Sequence, residues 1–311
     1  MIEAENLTKY YGTFLAIDDV SFEVGKGEIV GFLGPNGAGK TTTMRILSGF
    51  MPPSSGTARV AGHDIHSQSL EARKCIGYLP ETVPIYKDMT VEGFLRFYGK
   101  IRGMDKRRRE SRIQEVMQLC RIEGYARTYI HKLSKGYRQL VGVSQAILHE
   151  PDVLILDEPT IGIDPRQVVQ IRQLIKDLGQ EHTVIISTHI LAEVSMICER
   201  IMIMDHGKIM AVDSAENLSQ RLKGAQKIEI EVKGPAESIA SRLRDVKGVF
   251  EVTIEGSGDQ RKFAVECAPG EDIRDELASA VVESGFSLLG LKSYEMSVED
   301  IFLKLTNREE N

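Results

Sequence analysis

The segment Gly34-Pro35-Asn36-Gly37-Ala38-Gly39-Lys40-Thr41 satisfies the pattern GxxxxGK[ST]. It follows the apolar run Ile29–Leu33 and opens a helical run at Thr42–Leu47. Strand, glycine loop and helix in that order are the context that gives the pattern meaning. The glycines let backbone N–H groups close around phosphate oxygens, and the helix N-terminus adds partial positive charge. Lys40 can reach the β- and γ-phosphates of a nucleotide, and the Thr41 hydroxyl can ligate Mg²⁺. A second segment, Val153-Leu154-Ile155-Leu156-Asp157-Glu158, complements the first. A buried apolar strand delivers one carboxylate, Asp157, to hold the Mg²⁺ water shell. Its neighbour Glu158 could polarise an attacking water. Alone, the pair would read as two solvated acids at a strand end.

The elements that must position these groups are legible from hydrophobic pattern. Ile29–Leu33, Val153–Leu156, Thr183–Ser187 and Ile201–Met204 are short continuous apolar runs. Such runs suit strands buried on both faces of a parallel α/β sheet. The first 210 residues alternate strands of this kind with longer helical stretches. Met89–Ala126 reads as helical and charged, an insertion in the α/β body, and the helical subdomain is assigned to about residues 89–150. After Gly224 the period changes. Ile228, Ile230 and Val232 alternate with Glu229 and Glu231, as in a half-buried strand. A helical pattern follows (Ala236, Ile239, Ala240, Leu243). Two strands, Val249–Ile254 and Lys262–Cys267, are joined by a turn at Gly256-Ser257-Gly258-Asp259. A second helix (Ile273, Leu277, Ala280, Val281) leads to a strand at Phe286–Leu291. The order βαββαβ is that of a small α+β, ferredoxin-like domain. Ser297-Val298-Glu299-Asp300 resembles a capping box opening a last short helix. The expected domains are residues 1–222 and 223–311.

Further motifs, taken in order, carry a family resemblance. Leu133-Ser134-Lys135-Gly136-Tyr137-Arg138-Gln139 is similar to the LSGGQ signature and lies shortly before the Asp157-Glu158 strand. Ile161-Gly162-Ile163-Asp164-Pro165 resembles a D-loop. His189, after Ser187-Thr188, resembles a switch histidine. Tyr11, before Gly12, stands where an aromatic would stack on adenine. Over about residues 1–220 the chain resembles the nucleotide-binding subunits of ATP-binding-cassette (ABC) transporters. The fold this implies is a P-loop ABC ATPase core with a helical subdomain, here followed by the C-terminal domain.

The resemblance also implies a mechanism. Two such chains pair head-to-tail as a homodimer and sandwich two ATP molecules in composite sites. Tyr11, Gly34, Pro35, Asn36, Gly37, Ala38, Gly39, Lys40, Thr41, Thr42 and Asp157 would bind one nucleotide. Ser134 and Gly136 would touch the γ-phosphate bound by the partner, from a helix starting in the 134–146 stretch. Asp164 would link the two sites. Glu158 would be the general base, and His189 would hydrogen-bond the γ-phosphate. Thr41 and Asp157 would serve Mg²⁺. ATP closure would drive a separate multi-spanning permease from the cytoplasmic face of the inner membrane.

Two departures stand out. Tyr78-Leu79-Pro80-Glu81-Thr82 puts Glu81 where the family usually has Gln. That carboxylate can still ligate Mg²⁺ or take a water, so it stays among the catalytic and metal candidates, but it repels phosphate. The signature carries Lys135 and Tyr137 in place of Gly and Gln. Lys135 either adds charge near the partner's phosphates or sits in solvent. Both departures, and the C-terminal extension, resemble a bacterial branch linked to gliding motility, copper-related processes and drug or sodium export. The expected direction is export.

Composition bounds the alternatives. The chain has 311 residues, with 42% hydrophobic and 27% charged residues, an ordinary globular mix rather than a disordered or rod-like one. No apolar run approaches the ~18–20 residues of a membrane-spanning helix, and the N-terminus does not read as a signal peptide. Cys75, Cys120, Cys198 and Cys267 are scattered, which fits a reducing compartment and not a zinc site. From residue 226 onward 11 Lys and Arg face 18 Asp and Glu. An acidic end argues against nucleic acid as its partner. The alternative function, a cassette ATPase acting on nucleic acid or ribosomes, would favour two cassettes or long insertions. Here Asp157 follows Lys40 by only 117 positions. A P-loop kinase would have no use for the signature or His189. The basic run Lys100, Arg102, Lys106, Arg107, Arg108, Arg109, Arg112 reads as a solvated helix start or as a contact to anionic lipid or an acidic partner. Met196, Met202, Met204 and Met210 read as core packing before a thioether metal site. His63 and His66 lack a third ligand.

Overall fold

The computed structural model describes residues 1–214, 217, 226–255, 260–267 and 273–294. The chain divides into two compact units, Met1–Ala215 and Glu216–Asn311.

The first unit is built on a six-stranded sheet in the order β10-β9-β3-β8-β7-β6. Its strands are β3 (Ile29–Leu33), β6 (Ile76–Leu79), β7 (Val153–Asp157), β8 (Thr183–Thr188), β9 (Arg200–Asp205) and β10 (Lys208–Ser214). The first five run parallel, and β10 pairs antiparallel with β9. Every residue of β3, β7 and β8 is buried, which is why their sequences are continuous apolar runs.

A second sheet belongs to this unit, and the alternation of strands and helices did not foretell it. It joins β1 (Ile2–Tyr11), β2 (Phe14–Val24), β4 (Ser55–Val60) and β5 (His63–Asp64) in the antiparallel order β2-β1-β4-β5. Its inward residues, among them Ile2, Leu7, Ile17 and Phe22, share one core with Val30 and Phe32 of β3. Met44, Ile46 and Leu47 of α1 (Lys40–Leu47) lie in the same cluster. Phe22 meets Phe32 edge to face at 5.1 Å. Met202 and Met204 are fully buried here, as core packing requires, whereas Met196 is exposed. Among the described residues no three His, Cys, Asp or Glu side chains are grouped to hold a metal.

The helical part contains α3 (Val91–Ile101), α4 (Lys106–Leu119) and α5 (Lys135–Ile147). Thr90 caps α3, Asp105 caps α4 and Ser134 caps α5 through side-chain oxygens. Arg96 of α3 grips Glu92 and Glu110, tying α3 to α4. Much of the basic run is engaged internally. Arg102 donates to the carbonyls of Arg73 and Ile76, Arg109 to Met104, and Arg112 to Glu115 and Ile147. Arg108 pairs with Glu150. Helix α5 presses closely on β6, because a Cβ at Gly77 would lie 2.3 Å from the Ala146 carbonyl oxygen. The unit also contains α2 (Ser69–Lys74), α6 (Pro165–Leu178) and α7 (Leu191–Val194), and two short 3-10 turns at Glu123–Tyr125 and Ile130–Lys132.

The second unit comprises β11 (Gln226–Lys233), α8 (Ala236–Arg244), β12 (Val249–Glu255), β13 (Gln260–Cys267), α9 (Arg274–Glu283) and β14 (Ser287–Tyr294). The sheet order is β12-β13-β11-β14, with every neighbouring pair antiparallel. That is the split βαβ arrangement. Ile228, Ile230, Val232, Phe263 and Val265 pack against Ile239, Leu243, Leu277 and Val281. The turn at 256–259 and the capping box at Ser297–Asp300 lie outside the described residues. No described helix is long and apolar enough to cross a membrane.

His149, just beyond α5, donates from Nε2 to the Ile76 carbonyl at 3.0 Å. Burial, helped by the Arg102 charge, pushes its pKa down to about 4. An unfolded histidine protonates near pH 6.5. The neutral ring therefore favours the fold fully above about 6.5, and this contribution is lost as pH falls toward 4. Denaturant titrations at pH 7.5 and 4.5 should show this loss in the parent. The loss should be smaller in His149→Gln, and equal losses would remove His149 from the account.

Candidate functional site

The site assembles where parallel strands end. Strand β3 runs into the 34–39 loop, β7 ends at Asp157, β8 at Thr188 and β6 at Leu79, so four strand ends deliver Lys40, Glu158, His189 and Glu81 to one edge. The loop turns into α1 at Gly39, whose φ of 103° is left-handed and suits glycine. With no acidic residue in its first turn, α1 offers its N-terminus uncompensated.

A cavity of about 380 Å³ is lined by Tyr11, Phe14, Ala16, residues 36–42, Glu81, Glu158 and Ile161. Thus Tyr11, Asn36, Gly37, Ala38, Gly39, Lys40, Thr41, Thr42, Glu81 and Glu158 meet around one space. Lys40 Nζ donates to the carbonyls of Gly34 (2.7 Å) and Pro35 (3.1 Å) and lies 3.7 Å from Glu158 Oε1. Burial lowers the Lys40 pKa, against the pull of Glu158 and Asp157. Asp157 Oδ1 accepts from Ser187 Oγ at 2.5 Å and from Thr41 Oγ1 at 3.1 Å. Its Oδ2 is buried without a hydrogen-bond partner. Burial raises the Asp157 pKa, with the two hydroxyls opposing. A hydroxyl beside a buried carboxylate oxygen that lacks a partner, at the edge of a phosphate loop, is a donor set that fits a hard divalent cation.

Glu158 has a φ of 48°, in the left-handed region. Its N–H is held by the Ser187 carbonyl at 3.1 Å and Ser187 Oγ at 3.0 Å. The carboxylate faces His189 Nδ1 at 3.0 Å. Burial raises the Glu158 pKa, and the hydrogen bond from His189 opposes that shift. A carboxylate so placed can accept a proton from water. Glu81 is exposed at the cavity wall, so its charge keeps much of its hydration.

Ser134, Gly136 and Asp164 do not line this cavity. Ser134 accepts from the Tyr137 N–H at the start of α5, and Gly136 is buried in its first turn. Asp164 caps α6, accepting from the N–H groups of Arg166 and Gln167. Tyr137, where the signature usually has Gln, packs its ring on Tyr125 with centroids 4.3 Å apart, and Lys135 is exposed.

Neither Ser187, which in the sequence marks only a strand end, nor Phe14 was singled out as a site residue. Ser187 could have been found as the strand partner of Asp157, which is its register neighbour across β7 and β8. Phe14 comes after Tyr11 across a two-residue turn.

Comparison with known proteins accords with this geometry. A family described as ABC transporter matches residues 17–161. The linearmycin resistance ATP-binding protein of Bacillus subtilis is 34% identical over 309 residues, 99% of each chain. The Nod factor export ATP-binding protein I of a Rhizobium strain is 32% identical, covering 99% of this chain and 97% of its own. A solved structure described as the ATP-binding subunit of an ABC transporter superposes with a TM-score of 0.64 at 29% identity. It covers 71% of this chain and 92% of its own. These similarities do not support the alternative of action on nucleic acid or ribosomes.

Because Ser187 Oγ serves both Asp157 and the Glu158 N–H, Ser187→Ala removes one donor and one acceptor from a buried cluster. The fold should lose about 1–3 kcal/mol, read as a lower urea midpoint with unchanged m-value. An unchanged midpoint would mean that water replaces the hydroxyl.

Proposed function

This chain belongs to the ATP-binding subunits of ABC transporters and is an ATPase, and from that premise we propose that it powers an exporter as a homodimer with composite ATP sites. One observation carries the assignment of roles. Buried Glu158 is held between His189 Nδ1 at 3.0 Å and Lys40 Nζ at 3.7 Å, with Asp157 next to it in the chain.

The phosphate chain of ATP lies along the N–H groups of residues 36–42, and Lys40 exchanges its carbonyl partners for phosphate oxygens. Tyr11 stacks on adenine. Thr41 and Asp157 would hold Mg²⁺, with Glu81 a further candidate ligand, and the ion would supply neutralisation of the phosphate charge. Water attacks the γ-phosphorus. Its proton passes to Glu158, the bond from the γ-phosphorus to the bridging oxygen breaks, and ADP departs with the electron pair. His189 orients the γ-phosphate and the Glu158 carboxylate. Ser134, Gly136 and Asp164 lie away from the chain's own cavity, which supports their service to ATP held by a second copy.

A groove beside the nucleotide cavity suits a partner within the membrane. It has a volume of about 840 Å³, shares Glu81 with that cavity and is lined by Arg45, Phe50, Leu70, Arg73 and Arg102. Phe50, Leu70 and Ile101 stand exposed at 63–70% on its walls. We assign this groove to a permease segment, which would hold the chain at the cytoplasmic face of the membrane. Relatives named for resistance and export support the outward direction.

Glu158→Gln should bind ATP, slow hydrolysis at least about a hundredfold (~2.7 kcal/mol of barrier) and accumulate a closed dimer on size analysis. Carried through a pull-down from solubilised membranes with ATP, this variant should retain a multi-spanning protein in stoichiometric amount. Ribosomal proteins in its place would refute the exporter reading. Lys40→Ala should lose tight ATP binding in calorimetry, and unchanged affinity would dismiss Lys40 as the phosphate cation.

A further inference from the structure

We propose that Phe14 is a second nucleobase-binding ring, which adds a stacking surface for the base beside Tyr11. The inference rests on the assignment of the 380 Å³ cavity to ATP.

Tyr11 and Phe14 are register partners that close the β1–β2 hairpin. They flank the Gly12-Thr13 turn, and both line the cavity that the phosphate loop lines. An exposed phenylalanine alone is unremarked on a protein surface. Here two aromatic side chains from one hairpin end border the same ligand space, with Phe14 64% and Tyr11 43% exposed. The two rings are secured differently. Tyr11 is fastened from the 51–52 segment. Its Oη lies 3.1 Å from Met51 Sδ, and Lys9 Nζ, itself bound to the Pro52 carbonyl, sits 5.8 Å from the ring centroid. Phe14 is the more exposed ring, so it has more apolar surface to gain from a bound base.

The remaining lining bears on selectivity. Beside the two rings stand Ala16 and Ile161, which are apolar. The polar side chains Asn36, Lys40, Thr41, Thr42, Glu81 and Glu158 come from the phosphate loop and the acidic strand ends. The Tyr11 hydroxyl already donates to Met51 Sδ. Of the hairpin residues that line the cavity, Tyr11, Phe14 and Ala16, two present ring faces, and the one polar side chain among them, the Tyr11 hydroxyl, has its proton committed to Met51. Every base has a π-face, so stacking tolerates different bases and scales with ring size. ATP and GTP should be held alike, and a pyrimidine nucleotide less well.

The test is calorimetric binding of ATP, GTP, UTP and inorganic tripolyphosphate to the full chain and to Phe14→Ala and Phe14→Tyr. Phe14→Ala should weaken ATP and GTP about tenfold each (~1.4 kcal/mol), narrow the gap between ATP and UTP, and leave tripolyphosphate unchanged. Phe14→Tyr should restore purine binding. Unchanged ATP affinity in Phe14→Ala would overturn the proposal while leaving the ATP assignment intact. Equal loss of tripolyphosphate would also overturn it, by showing a disturbed loop instead of a lost ring. A parent chain that binds tripolyphosphate but no nucleotide would remove the ATP assignment, and this proposal with it.

Discussion

Everything in the nucleotide site depends on the parallel register of β3, β7 and β8. Leu33 pairs with Thr188, and Asp157 pairs with Ser187, so the three strands stop at one level. A glycine loop, an acidic turn and a histidine continue from these strand ends and are forced into the same small volume. A displacement of one residue along β7 or β8 would turn Asp157 or Ser187 to the opposite face and break their contact. The continuous burial of these strands makes such a slip costly, because both faces are packed. Precision at the site is thus inherited from the apolar sheet beneath it.

That precision is used to keep charge where it is uncomfortable. Lys40 and Glu158 have side chains only 6% exposed. Isolated ions so deep would be strongly disfavoured. Lys40 is compensated by two carbonyls and one carboxylate, Asp157 by two hydroxyls, and Glu158 by His189. The compensation is incomplete, as the orphaned Asp157 Oδ2 records. Desolvation dominates the pKa of all three groups and disfavours each charged form. An anionic ligand with a divalent cation would relieve two of them at once, since it brings a partner for the Lys40 amine and one for the Asp157 carboxylate. The left-handed backbone at Glu158 serves the same arrangement. It aims the carboxylate at the cavity and is held by both oxygens of Ser187.

The departures from the usual family pattern find local explanations. Tyr137 gains an aromatic partner in Tyr125, so the loss of an amide there is matched by packing. Glu81 sits on an exposed wall between two cavities, where a carboxylate costs little while remaining near the phosphate loop. The basic run, which by composition could have faced a membrane, is largely committed to carbonyls and carboxylates within its own unit. Its arginines fasten α3 and α4 to the sheet and to α5, the helix that carries the signature.

Family resemblance pointed to the signature and to His189, whereas the phosphate loop, the acidic strand end and the βαββαβ order were legible in the chain itself, for one physical reason. Each depends on neighbours in sequence: a glycine that must turn, a strand that must bury both faces, a cap that must reach three residues on. Tertiary structure decided the rest. Only the alignment of β7 with β8 brings Ser187 to Asp157, 30 residues away. Only the closure of the β1–β2 hairpin makes Phe14 a neighbour of the phosphate loop. The separate antiparallel sheet of β1, β2, β4 and β5 escaped the pattern because its strands are interrupted by α1 and share their core with the parallel sheet. Long-range pairings of this kind leave no mark in local periodicity, since the free energy that selects them comes from surfaces that meet only when the chain is folded.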